Sequence, residues 1–268
     1  MPFLTVGYKR LHYADHPPTT GDPARPRETL LLHHGLGSSQ NFYAPIVPAL
    51  TGAGFRVVTF DATGAGRSAY TQVEQTVSTL AGDAAAVLDG LGVAKAVVAG
   101  HSMGGMVAAQ LAADRPDRVV AAVLVGPVYP SPAVARVFEQ RIAAVERAGM
   151  EPMADAIPAA ATAKAASPVA RAFIRELLLA QDKWGYISNC RVIANAVRPP
   201  YEKVEVPVLL LAGDEDKSAP LDMVKRIYDE LGTTEKSLEV LPGVGHWHCI
   251  EAPDQVAAKI IDFYRQIQ

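Results

Sequence analysis

A chain of 268 residues is long enough for one large α/β domain with an insertion. With 49% hydrophobic and 20% charged residues it reads as a globular protein, not a disordered one. A net charge of −3 with no basic block argues against nucleic acid or an anionic membrane as partner, and no apolar run approaches the ~20 residues of a membrane span.

Lys9, Arg10, His12 and Asp15 precede any long apolar stretch, so the first residues do not read as a signal peptide. Cys190 and Cys249 supply no disulfide framework, which fits a cytoplasmic setting, although one bridge between them stays open. Residues 3–6 and 9–13 alternate as two short strands, and the proline-rich stretch 14–27 reads as a surface loop. Residues 29–33 form a continuous apolar run of the kind buried in a parallel sheet, ending in the loop His34-Gly35-Leu36-Gly37. The spacing predicts a helix over 41–53, a strand over 56–60 that ends at Asp61, and an amphipathic helix over 73–91.

Residues 96–99 are a β-rich strand and 106–113 a helix, with Gly100-His101-Ser102-Met103-Gly104-Gly105 between them. A strand turning sharply into a helix at Gly-x-Ser-x-Gly is a nucleophile elbow. The glycines are needed because the chain passes close to itself there. A strand over 119–125 follows. Residues 128–203 lack β-rich runs and are rich in alanine, with predicted helices over 133–148, 153–166, 169–181 and 184–196 punctuated by prolines. Strands resume over 207–212 and 236–241, with helices over 222–231 and 252–267. The expected division is therefore a core of 1–127 and 204–268 with a helical lid of 128–203.

Strands alternating with helices imply a parallel sheet with its ligand beyond the carboxyl ends of the strands. The His34-Gly35 loop, Ser102, Asp216 and His246 all fall there. A serine needs a base, and a histidine base needs an acid to fix its tautomer. The chain order Ser102, Asp216, His246 is the order that accompanies this elbow.

The chain resembles the α/β-hydrolases. The likeness rests on His34-Gly35, the turn Asp61-x-x-Gly64-x-Gly66-x-Ser68, the elbow, Gly213-x-x-Asp216-x-x-x-Pro220, and Gly245-His246 followed by Glu251 and Pro253. It implies a mostly parallel eight-stranded sheet flanked by helices, with Ser102 as nucleophile, His246 as base and Asp216, rather than Asp214 or Glu215, as acid. The oxyanion hole falls to the backbone N–H groups of Leu36 and Met103. No cofactor or metal is required. Many relatives carry Arg and His where Thr63 and Ala65 stand here. A serine nucleophile argues against epoxide and haloalkane hydrolysis.

Trp184, Tyr186, Tyr129 and Trp247 are the aromatic candidates for the substrate pocket. Arg136, Arg141, Arg171, Arg175 and Arg191 of the lid are candidates to meet a substrate carboxylate, each weighed against a solvated helix face. His34 and His101 read as supports, His33 as buried, His248 as a rival base, and His12 and His16 as surface residues. The segment Trp184-Gly185-Tyr186-Ile187-Ser188-Asn189-Cys190 resembles the lid-to-core join of 3-oxoadipate enol-lactonases. The expected activity is hydrolysis of a small-molecule carboxylic ester or lactone by a monomer or homodimer. C–C bond hydrolysis of a diketone, cofactor-free perhydrolysis and a slow-turnover ligand receptor stand beside it.

Overall fold

The computed structural model describes residues 2–23 and 26–268; Met1, Ala24 and Arg25, the last two within the predicted surface loop, lie outside them. Among the described residues, β1 (Phe3–Val6), β2 (Lys9–His16), β3 (Thr29–His33), β4 (Arg56–Phe60), β5 (Ala96–His101), β6 (Val119–Val125), β7 (Val208–Gly213) and β8 (Lys236–Leu241) form one sheet in the order β1-β2-β4-β3-β5-β6-β7-β8. Only the pairs β1–β2 and β2–β4 are antiparallel. All other neighbours run parallel. The strand order reverses at β3–β5, because β4 lies on the far side of β3. A crevice opens at such a switch point. Here it lies between the loop after β3 and the elbow after β5.

The central strands read as unbroken apolar runs because both faces are covered. Alternate residues divide between two cores. Leu31, Val98, Leu124 and Leu210 pack toward α2 (Val77–Gly90), α3 (Met103–Asp114) and α8 (Leu221–Glu230). Leu32, Ala99, Val123 and Leu211 pack toward α1 (Val47–Gly52) and α10 (Pro253–Gln266). This is the period of two expected of a strand.

Between β6 and β7 lie α4 (Pro132–Ala148), α5 (Glu151–Ala160), α6 (Pro168–Leu179) and α7 (Lys183–Ala194). Three of the prolines that punctuate the sequence here, Pro132, Pro152 and Pro168, stand in the first turn of a helix. Pro132 and Pro168 each follow a serine cap, with Ser131 accepting from Val134 N–H and Ser167 from Ala170 N–H. The insertion rests on loops at the carboxyl ends of the strands. A Cβ on Gly64, after β4, would meet Gly185 Cα at 3.1 Å, and one on Gly37, after β3, would meet Tyr186 at 3.2 Å.

Several elements differ from the predicted ones. β2 continues to His16, because its second half pairs with β4. The helix predicted over 41–53 is a 3₁₀ turn at Gln40–Tyr43 followed by α1, with Pro45 between them and Pro48 in the first turn of α1. α2 starts at Val77, where Thr76 and Thr79 form a capping box. α5 stops at Ala160, six residues short of its predicted end, because the backbone beyond it is bonded elsewhere: the Ala161 carbonyl accepts from His246 N–H, and the Ala163 and Lys164 N–H groups donate to the Glu251 and Glu215 carboxylates. A short helix, α9 (His248–Glu251), precedes α10. No described helix is long and apolar enough to cross a membrane.

Lys9 of β2 fastens α2 to the sheet. Its ammonium donates to both Asp83 oxygens and to Gln75 Oε1, each at 2.8 Å, and Thr63 donates to the same carboxylate at 2.9 Å. The pair is almost wholly out of solvent, so removing one partner strands a buried charge. Asp83→Ala is expected to cost about 3–5 kcal/mol in urea denaturation, and the double change Lys9→Met/Asp83→Leu to recover most of it.

Candidate active site

β5 delivers Ser102 to the tip of the elbow with φ 55° and ψ −114°, and α3 begins at the next residue. Such a positive φ is costly for a residue with a Cβ and persists only where the surroundings enforce it. They do so by close approach. A Cβ on Gly100 would collide with the Gly104 carbonyl, one on Gly104 with the His33 carbonyl, and one on Gly105 would lie 2.9 Å from Pro127. The elbow is thus wedged between β3 and the turn after β6.

Ser102 Oγ lies 3.0 Å from His246 Nε2, and His246 Nδ1 lies 2.8 Å from Asp216 Oδ2. Asp216 also accepts from Ser218 N–H at 2.8 Å and Ala219 N–H at 2.9 Å through its other oxygen. Burial pushes the Asp216 pKa up, but His246, through its charge and its hydrogen bond, together with His248 and the Ala219 N–H outweighs it, and the net shift is down. An ionised Asp216 only accepts, so the His246 proton sits on Nδ1 and the Nε2 lone pair faces the Ser102 hydroxyl. The arrangement can take a proton from the serine and stabilise the resulting imidazolium.

The rival acids are engaged elsewhere. Asp214 accepts from Gly243 N–H at 2.7 Å, and Glu215 accepts from Lys164 N–H at 3.0 Å.

Gly35 packs directly on the elbow. A Cβ there would lie 2.7 Å from His101 Nδ1 and 3.0 Å from Ser102 Cβ. That approach brings Leu36 to the wall of the Ser102 cavity. Met103 is the first residue of α3, where an N–H has no acceptor within the helix.

Four other histidines around the site, His33, His34, His101 and His248, are buried, and burial lowers the pKa of each. His101 Nε2 and His248 Nδ1 both donate to the His246 carbonyl at 2.8 Å. The ring of Phe42 stacks on His101 at 4.2 Å. Burial, with neighbouring imidazoles, holds His101 well below its usual pKa, and burial, followed by the opposed effects of Asp216 and His246, takes His248 down to about 4. His34 donates through Nδ1 to the Gly35 carbonyl at 2.7 Å and accepts from Ala62 N–H at 3.0 Å, and burial lowers its pKa. His33 is pushed down to about 3, mainly by burial. His12 is buried rather than on the surface, because the longer β2 brings it to Asp61, 2.9 Å away.

Ser102 and His246 open into a cavity of about 310 Å³ walled by α4, α5, α6 and α7. Tyr186 and Trp247 line it; Trp184 and Tyr129 do not. Trp184 stands two residues from Tyr186 on α7, so it falls on the opposite side of that helix and is 53% exposed. Val128 lines the cavity, whereas the next residue, Tyr129, turns away, stacks on Tyr201 and donates to Glu230 at 3.0 Å. Of the five candidate arginines only Arg141 lines the cavity, its guanidinium 4.9 Å over the Phe138 ring. Arg171 donates to the Ala163 and Lys164 carbonyls, Arg175 pairs with Asp155 and Arg191 with Glu146. No sequence signal separates Arg141 from the others; its place on α4 does.

Lys217 is the other cation on the wall, and no Asp or Glu lines it. Two buried polar atoms of the wall are left over. Trp247 Nε1 has no hydrogen-bond partner, and Tyr186 Oη lies near Arg141 and Cys190 without a hydrogen bond of normal geometry. A larger cleft of about 710 Å³ lies between α6 and the β2–β4 side of the sheet. It touches neither Ser102 nor His246, and the His12, Gln40 and Asp61 groups on its wall are bonded to one another. Cys190 and Cys249 are both buried and unbridged.

The family model described as serine aminopeptidase, S33, matches residues 24–253. RutD of Caulobacter sp. (strain K31), provisionally named a carbamate hydrolase, is 30% identical, covering 91% of this chain and 92% of its own. The enol-lactonase from Burkholderia xenovorans LB400 superposes with a TM-score of 0.89 at 29% identity, over 98% of this chain and 100% of that one. A thermophilic esterase from Thermogutta terrifontis shares the fold, with a TM-score of 0.89 at 22% identity over 100% and 99% of the two chains.

The buried neutral imidazoles set a pH dependence of stability. His33, His34, His101 and His248 each bind a proton less readily folded than unfolded. Below their unfolded value of 6.5 the unfolded chain therefore carries more protons, and stability falls with pH. For His248, lowered to about 4, the loss between pH 6.5 and 4 is about 3 kcal/mol. Urea midpoints are expected to fall steadily from about pH 6.5 to about pH 4.5. A flat profile over that window contradicts the assignment.

Proposed function

The chain belongs to the α/β-hydrolase family, and from that premise we propose that it is a serine hydrolase of a small carboxylic ester or lactone. The observation that carries the reading is the continuous contact from Ser102 Oγ to His246 Nε2 at 3.0 Å and from His246 Nδ1 to Asp216 Oδ2 at 2.8 Å, on the wall of a mainly apolar cavity.

In this reading His246 accepts the Ser102 proton through Nε2 as Oγ attacks the carbonyl carbon. Asp216 stabilises the imidazolium without taking its proton. The N–H groups of Leu36 and Met103 hold the oxyanion. The imidazolium then protonates the departing alkoxide, which in a lactone stays tethered to the acyl group. A water, deprotonated by the same His246, releases the acid and restores Ser102.

The cavity walls favour an anionic or acceptor-rich substrate. Arg141, Lys217, Trp247 Nε1 and the Tyr186 hydroxyl can all donate, and no carboxylate opposes them. The ester or lactone is therefore assigned a carboxylate. Two unbridged, buried cysteines support placing the enzyme in the cytoplasm.

Carbamate hydrolysis is the second reading, favoured by the RutD relative. It would use the same attack on a carbonyl. The cavity of about 310 Å³ is far larger than a bare carbamate, which supports the ester or lactone first. A screen of esters, lactones and carbamates, with product analysis, separates the two.

With p-nitrophenyl acetate the wild type is expected to show a burst equal to the enzyme concentration. Ser102→Ala is expected to abolish it and to lower kcat by at least about 10⁴-fold. An alanine variant with full turnover overturns the mechanism. Arg141→Met is expected to raise KM for a carboxylate-bearing ester by about 10-fold or more, the worth of a charge-assisted hydrogen bond, with little change for a neutral ester of the same size.

A further inference from the structure

The base is held by main-chain bonds that no part of the catalytic chemistry uses. Glu251, in the last turn of α9, turns its carboxylate back onto the His246 loop. Its Oε1 accepts from Trp247 N–H at 2.9 Å. Its Oε2 accepts from Gly245 N–H at 3.1 Å and from Ala163 N–H at 2.7 Å. Residues 245 and 247 flank the base, and residue 163 lies in the linker between α5 and α6. That linker also takes the base's own amide, since His246 N–H donates to the Ala161 carbonyl at 2.8 Å. Gly245 makes the approach feasible, as a Cβ there would lie 2.5 Å from Ala163 N. Arg171 closes the other side of the linker, with Nη2 donating to the carbonyls of Ala163 at 3.1 Å and Lys164 at 3.2 Å.

We propose that Glu251 is a positioning residue for His246, and that through it the insertion, and not the core alone, sets where the base stands. The proposal rests on the reading of His246 as the base. Its chemistry is specific to a carboxylate. Three N–H donors converge on one side chain, and only an ionised carboxylate offers two acceptor oxygens and no competing donor. Glutamine has the same length and shape, but it must turn its NH₂ toward at least one of those N–H groups. The linker then separates from the His246 loop, and the imidazole loses the restraint that holds it between Ser102 and Asp216.

The experiment compares wild type, Glu251→Gln, Arg171→Met and a stability control, Val87→Ala, which opens a small gap in the core under α2, away from the site. The readouts are kcat and KM with p-nitrophenyl acetate, the low-field proton NMR signal of His246 Nδ1–H, and hydrogen exchange of the amides of residues 163, 245 and 247. For Glu251→Gln the expected result is a fall in kcat of about 10- to 100-fold, the cost of a misplaced reacting group, with KM little changed. The low-field signal is expected to broaden or vanish and the three amides to exchange faster. Arg171→Met is expected to move the same readouts in the same direction by less, and Val87→Ala to move none of them. The proposal is overturned if Glu251→Gln keeps kcat within about twofold of wild type, a change too small for a displaced base. It is overturned equally if activity falls while the low-field signal and the three amides stay as in Val87→Ala. Should the wild type hydrolyse no ester, the functional reading fails, and the signal and the exchange rates still decide the role of Glu251.

Discussion

Ser102 stands at a backbone conformation that its own Cβ opposes, at a cost of about 1–3 kcal/mol, and the surrounding packing leaves it no other. Gly100, Gly104 and Gly105 are where the elbow presses on itself, on the end of β3 and on the turn after β6. Relaxing φ would swing the start of α3 into those neighbours. The strain is carried by the parallel strands β3, β5 and β6, whose side chains are fully buried or nearly so. A hydroxyl fixed by main-chain collision is already in place when a ligand arrives and needs no reorganisation, which is what preorganised sites require.

His246 is held by a different kind of restraint. His246 sits on a loop, and loops are mobile unless their polar groups are bonded. Its carbonyl accepts from two buried imidazoles, and its amide donates to the insertion. Both imidazoles are kept neutral by burial, so they orient the loop without adding a charge that would compete with the His246–Asp216 pair. Ser102 and His246 are thus fixed by separate parts of the fold, one by the sheet and one where the core meets the insertion. The cavity lies between them.

The insertion does more than cover the strand ends. α4 brings Arg141 and Phe138 to the cavity, α7 brings Tyr186, and the linker after α5 meets the His246 loop. The same helices turn Trp184 outward and leave Arg175 and Arg191 paired with surface carboxylates. The cavity's donor-rich character comes from how each helix is rotated on the core, not from the insertion's alanine-rich composition.

The chain by itself determined the alternation of strand and helix, the elbow, and the order of serine, aspartate and histidine. These are local signals: a period of two, a period of 3.6, and glycines where two backbones nearly touch. It also fixed the boundaries of β3, β4 and β6, apolar runs that end at polar or glycine residues, and of β8, an alternating run that ends at Pro242. It did not fix where α5 ends, because residues 161–164 carry ordinary helix formers whose backbone groups find partners in His246 N–H and the Glu251 and Glu215 carboxylates. Nor did it distinguish Tyr186 from Trp184, Arg141 from its four neighbours, or His12 as buried. Each of those outcomes depends on which face of an element meets another element distant in sequence. Only strand order and helix rotation in the folded molecule decide that.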